Sequence, residues 1–209
     1  MTKVIQTFMP ELIAGFLVNL QVAGIAISMG LALGVPLALL RQRVLWSIRL
    51  LRPCIMLMQA APVYVIMFFL LNLLPDKVSV VGTTVLVSGF AALSIAQGVN
   101  MIAYIAENAF PALEHFRRDE MEQAMLFLPA VLRGFIVVVM SSGIGAAIGI
   151  PEAVGVTLAH AQRLPALSDR VLLFLITIAF FVSIFGVINA LLRSTVRRLA
   201  SGRHKMTII

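Results

Sequence analysis

The five longest stretches of this chain without Asp, Glu, Lys or Arg divide it from end to end. They are residues 12–40 between Glu11 and Arg41, 53–75 between Arg52 and Asp76, 78–106 between Lys77 and Glu107, 134–151 between Arg133 and Glu152, and 171–192 between Arg170 and Arg193. A helix rises about 1.5 Å per residue and needs about 20 apolar residues to cross the hydrocarbon core of a bilayer. Four of the stretches are long enough outright. The stretch 134–151 is marginal: it holds Gly143, Gly145 and Gly149 and ends at Pro151, so it reads as a short or broken span. Stretches 12–40 and 78–106 exceed the core thickness and are expected to tilt or project. The first is also too long for the apolar region of a signal peptide, roughly 7–15 residues.

Composition places this pattern in lipid. Apolar residues make up 61 % of the chain and charged ones 12 %, against roughly 45–50 % apolar in an ordinary globular domain. Mean hydropathy is +1.04. The expected fold class is an all-α polytopic membrane protein with about five transmembrane helices. A single transmembrane domain, 1–209, would have spans at approximately 12–40, 53–75, 78–106, 131–151 and 171–193. The net charge of +7 does not point to nucleic acid, because the basic residues sit between apolar runs. With the N-terminus outside and five alternating spans, twelve basic residues fall on cytoplasmic segments: Arg41, Arg43, Arg49, Arg52, Arg117, Arg118, Arg133, Arg193, Arg197, Arg198, Arg203 and Lys205. Lys3, Lys77, Arg163 and Arg170 fall outside. That asymmetry fits N-out, C-in. Four spans would strand the C-terminal basic cluster outside, which favours counting 131–151.

Several chemistries are excluded. Cys54 is the only cysteine, and His115, His160 and His204 lie far apart, so no metal site is expected. No G-x-x-x-x-G-K-[ST] loop exists around the three lysines Lys3, Lys77 and Lys205, so the chain has no P-loop for nucleotide. Neither G-x-S-x-G nor H-E-x-x-H occurs, and an enzyme is not expected. The charge-free runs hold no acid, base or histidine of the kind that ion-coupled transporters use as relays. A pathway energised by another protein fits better.

The segment Pro111 to Pro129 is the most informative. From about Asp119 it suits a short amphipathic helix, with Asp119 as N-cap, Glu120 and Glu122 at the positive end of the dipole, and Met121, Ala124, Met125 and Leu128 as an apolar stripe. Such a helix suits a partner's groove, or the stripe packs on the protein's own helix ends. Small residues four apart, at Ala26, Gly30 and Gly34 and at Gly145 and Gly149, allow close helix contacts, within the chain or between subunits. Asn19, Gln21, Gln59, Tyr64, Gln97, Asn100, Tyr104 and Glu107 are candidate pathway groups; each serves equally as a helix–helix hydrogen-bonding residue.

At these residues the chain resembles the permease subunits of bacterial ABC importers of type I, in the polar amino acid (histidine and glutamine) group. The resemblance runs nearly end to end: Gly34-Val-Pro-Leu-Ala-Leu-Leu-Arg41, Gln59-Ala-Ala-Pro62, Ala103-Tyr-Ile-Ala-Glu107, Glu120-Met-Glu122-Gln-Ala124 on the EAA motif, Leu128-Pro-Ala-Val-Leu-Arg133 and Ile148-Gly-Ile-Pro-Glu152. Gln123 stands for the motif's first alanine and Leu128 for its glycine, and the coupling loop is shorter than the family's by roughly ten residues. The resemblance implies an inner-membrane importer subunit for polar amino acids, without its own ATPase site. A cytoplasmic coupling loop at 111–130 would engage an ATPase dimer that binds ATP and Mg. Its other partners would be a second permease subunit, a periplasmic or extracellular solute-binding protein and membrane lipid. Arg118, Asp119, Glu120, Glu122, Gln123 and Ala124 would form the coupling site, and Asn19, Gln59, Tyr64, Asn100, Tyr104 and Glu107 the possible pathway. The alternative is a non-ATP-driven channel or exporter, or a degenerate structural partner subunit.

Overall fold

The computed structural model describes residues 2–43, 45–73, 77–80, 83–86 and 89–201. Helix α1 (Thr2–Met29) continues through a π-helical segment (Gly30–Gly34) into α2 (Val35–Arg43). Pro36 explains the change of register: it has no N–H to donate and its ring crowds the carbonyl four residues back, which a wider turn relieves. The next apolar run is not one straight span. Helices α3 (Leu45–Ala60) and α4 (Val63–Leu73) meet at a bend of 92°. Pro62 disfavours helical geometry at Ala61. The Ala61 N–H closes the last turn on the Leu57 carbonyl (3.0 Å), and the Pro62 carbonyl accepts the Val65 N–H (2.9 Å) to start the next helix.

The expected span 78–106 is displaced along the sequence. Strands β1 (Lys77–Val80) and β2 (Thr83–Leu86) pair antiparallel, Lys77 opposite Leu86 and Val80 opposite Thr83. This region is rich in β-branched Val and Thr, which favour extended backbone. Helix α5 begins only at Gly89 and runs to Arg117. After one turn of α6 (Met121–Ala124), α7 (Phe127–Ser141) passes into a 3₁₀ segment (Ser142–Ile148) that ends at Gly149, with φ +78°. The marginal fourth stretch is therefore the second half of an apolar helical segment, Met121–Ile148. Short α8 (Ala153–Gln162) and long α9 (Leu167–Ser201) complete the described chain. Among the described residues, four helices are long and apolar enough to cross a membrane, or five when the bent pair counts as one span.

The contacts divide the chain into two units, Met1–Ala159 and His160–Ile209. In the first, α5 is the central helix. Of its most apolar window 61 % is buried, against 33 % for the first helix. Its small residues let neighbours close in. The faces of Gly30 and Gly34 lie against α5 so tightly that a Cβ on Gly34 would stand 2.6 Å from the Ile102 carbonyl oxygen. The Ala26–Gly30–Gly34 stripe is thus used inside this chain at Gly30 and Gly34. Val22, Met67, Leu93, Ala96 and Ile150 form one buried cluster, and Ile55, Ala103 and Ala106 another. In the second unit, Thr177, Ser183 and Asn189 each donate to the carbonyl four residues back on α9 (3.0, 2.7 and 2.9 Å). Each thereby places one donated bond within its own helix, as an apolar surrounding favours.

Candidate functional site

The turn between α5 and α7 is built from a helix end rather than a helix start. The Glu120 N–H donates to the His115 carbonyl (2.9 Å) and the Asp119 N–H to the Phe116 carbonyl (3.3 Å), with Asp119 at φ +58°. This is a Schellman motif with its left-handed residue at Asp119. Asp119 therefore terminates α5 and does not cap α6. Asp tolerates the left-handed region better than most side chains because it is short and polar. Glu120 precedes α6 without a side-chain capping bond, and α6 has only the single turn Met121–Ala124. The Glu120 carboxylate instead sits 2.6 Å from His115 Nδ1.

This geometry leaves the apolar residues of the turn uncovered. Phe116, Met121, Met125, Leu126 and Leu128 are 49–60 % exposed. The expected stripe of Met121, Ala124, Met125 and Leu128 thus keeps only Ala124 half-buried, and it does not pack away on the chain's own helix ends. Arg118, Glu122 and Gln123 are exposed around it.

One bond ties the start of α7 to α5, and a second set of contacts ties α2 to α5. The Tyr104 hydroxyl donates to the Ala130 carbonyl (2.9 Å). Its ring covers Gly134, where a Cβ would stand 2.7 Å away. One helical turn on, Glu107 accepts from Arg41 Nη1 (2.8 Å), and the Arg41 guanidinium lies 4.3 Å over the Phe110 ring. Gln42 Nε2 donates to the Phe110 carbonyl (3.2 Å). α2 and α5 are thereby joined through Glu107 and Phe110, on the half of α5 that leads into the turn.

A second polar centre joins Asn19, an expected pathway residue, to Glu152, to which the sequence pattern assigns no site role. Glu152 is fully buried and caps α8: Oε2 accepts the Val154 N–H (3.0 Å) and Oε1 the Gly155 N–H (2.7 Å). Asn19, also fully buried, donates through Nδ2 to Glu152 Oε2 (3.0 Å) and Ser142 Oγ (2.8 Å), while its Oδ1 accepts the Ala153 N–H (3.1 Å). A buried carboxylate is tolerated only with such partners. The one sequence signal was Glu152 directly before an apolar helical run, on the acid-preferring end of a helix.

The expected pathway residues do not bond to one another. Asn100, Tyr104 and Glu107 share one face of α5 by spacing. The bonds of Asn19, Tyr104 and Glu107 run to the framework residues just named. Gln59 and Tyr64 are exposed on either side of the α3–α4 bend.

The apolar spans, the central small-residue helix and the exposed turn define a polytopic α-helical membrane protein. No family model and no curated protein matches the chain. A chain from a crystal structure of an amino acid ABC transporter with histidines matches it with a TM-score of 0.71 at 20 % identity, covering 93 % of this chain and 96 % of that one. The likeness is one of fold, and it extends over nearly all of both chains.

Proposed function

We propose that this chain is the transmembrane pathway subunit of an ATP-driven importer for polar amino acids or related small solutes, coupled to a separate ATPase through segment 111–130. The observation that carries this reading is the exposed cluster of Phe116, Met121, Met125, Leu126 and Leu128 on a turn between helices tied by Tyr104 and by Arg41–Glu107. An apolar patch of this kind on a rigid support marks an interaction surface. The fold shared with an amino acid ABC transporter chain supports an ATPase as the partner of that surface. In this reading the ATPase dimer binds ATP and Mg, and Arg118, Asp119, Glu120, Glu122, Gln123 and Ala124 frame the contact. A second permease subunit completes the pathway, and a solute-binding protein delivers substrate from outside. The chain lies in the bacterial inner membrane, N-terminus out and C-terminus in, as the distribution of basic residues favours. Asn100, Tyr104 and Glu107 line α5, with Gln59 and Tyr64 at the bend, as candidate pathway groups.

The single turn of α6 favours one alternative, a degenerate partner that holds the complex together without transmitting the ATPase stroke. Purification of the tagged chain in nanodiscs, with transport and ATP hydrolysis assayed on the recovered complex, separates the two. Uptake that stops in Glu122→Arg while the complex remains intact supports coupling through this loop. Undiminished uptake in that variant assigns coupling elsewhere.

A further inference from the structure

Beside the exposed cluster, between the last turns of α5 and the start of α7, lies an open cleft of about 210 Å³. Pro111, Ala112, Leu126, Phe127 and Ala130 form its apolar lining, and Asn108, His115 and Gln123 its polar lining. It has room for one large side chain but not for a helix, which is about 10 Å across with its side chains. The segment that carries its lining residues His115 and Gln123 is acidic in a basic chain. Glu114, Asp119, Glu120 and Glu122, four of the nine acids in the sequence, fall within 114–122 together with only Arg117 and Arg118, whereas the whole chain carries +7. No acid lines the cleft itself, but Glu120 stands 2.6 Å from His115 on its lining and Glu122 adjoins the lining residue Gln123 in sequence. That suits an apolar side chain carried next to a lysine or arginine.

We propose that this cleft receives one apolar side chain of Leu, Met or Phe size, flanked by a basic residue, from the ATPase subunit. The partner inserts and this chain receives, which suits an α6 of one turn that has little helix to offer a groove. The proposal rests on the reading of 111–130 as the ATPase-docking segment, and its test separates the two.

The full chain is expressed in its native membrane with photoreactive p-benzoylphenylalanine in place of Met125, which is 49 % exposed. Crosslinked peptides are then sequenced. The expected product is a protein with a G-x-x-x-x-G-K-[ST] loop. In the Ala112→Phe background, where a ring fills the cleft, its yield falls at least about tenfold, a loss of about 1.4 kcal/mol in docking. The same insertion at Val137→Phe, on an exposed face of α7 away from the turn, leaves the yield unchanged. Full crosslinking in Ala112→Phe overturns the cleft while the docking reading stands. Absence of any P-loop protein at Met125 overturns both. Should Ala112→Phe fail to accumulate, the photoprobe at Leu126, on the lip of the cleft, decides. A crosslink to an apolar residue beside Lys or Arg is expected, and one to lipid or to an acidic segment overturns the cleft.

Discussion

His115 Nδ1 lies 2.6 Å from Glu120 Oε2 across the turn that ends α5, joining the same two residues whose backbones share the Glu120 N–H to His115 carbonyl bond of 2.9 Å. In a Schellman motif these two positions usually meet through an apolar contact; here the contact is polar. Both side chains are more than a third exposed, and exposed pairs contribute little. A double-mutant cycle with His115→Ala and Glu120→Ala should therefore give a coupling below about 1 kcal/mol in thermal or denaturant unfolding. A larger coupling would show that the side-chain pair, and not the backbone bonds, holds the turn.

Asp119 offers the complementary backbone test. Its φ of +58° costs an L-residue energy that glycine does not incur. Asp119→Gly should raise stability by about 0.5–1 kcal/mol, seen as a higher melting midpoint in detergent, and Asp119→Val should lower it. A lower midpoint for the glycine variant would mean that the Asp119 carboxylate makes a compensating contact.

These residues also show what could be read from the sequence. Counting charge-free residues located the apolar helices, because lipid imposes a length that composition alone reveals. It cannot separate Val- and Thr-rich strands from a span, so it includes 78–86 in the third helix, which starts at Gly89. Asp119 reads as an N-cap in sequence because Asp suits both the N-cap and, less often, the left-handed end of a helix; only the backbone bonds distinguish the two. The sequence pattern suits a short amphipathic helix from Asp119, of which the structure keeps the single turn Met121–Ala124, and the exposure of the apolar residues around it is a property of packing. Glu152 stood in plain view after Pro151. Its burial depends on Asn19, 133 residues away, and no local pattern encodes that.

The Asn19–Glu152 contact gives a stability prediction. Glu152→Ala removes the acceptor for two α8 N–H groups and for Asn19 in a fully buried site. The expected loss is about 2–4 kcal/mol, measured as lower folded yield and melting midpoint in detergent. Asn19→Asp should be at least as harmful, because it sets a second carboxylate against the first. A stable Asn19→Asp variant would show that the site is reached by water.

Two glycines of the first helical segment should respond with opposite sign. Gly34→Ala places a methyl 2.6 Å from the Ile102 carbonyl oxygen and forces α5 away, whereas no atom lies within 4 Å of a Cβ on Gly24. Gly34→Ala is expected to destabilise by about 1–3 kcal/mol. Gly24→Ala should gain up to about 1 kcal/mol from helix propensity alone. Parallel melting curves of the two variants check this, and equal loss in both would mean that Gly24 also faces a close neighbour in the assembled protein.

The exposed cluster makes the functional prediction. Met125 is 49 % exposed, so a charge there meets solvent and should change stability by less than about 0.5 kcal/mol. If the cluster docks an ATPase, Met125→Glu places a carboxylate in a desolvated contact. The complex should then lose at least about tenfold in substrate-stimulated ATP hydrolysis, while the isolated chain melts as the parent does. Stimulated hydrolysis at the parental rate, with the variant folded and the complex assembled, would move the coupling contact off this turn. A fall in hydrolysis accompanied by a lower melting midpoint would instead place Met125 in the framework of the turn.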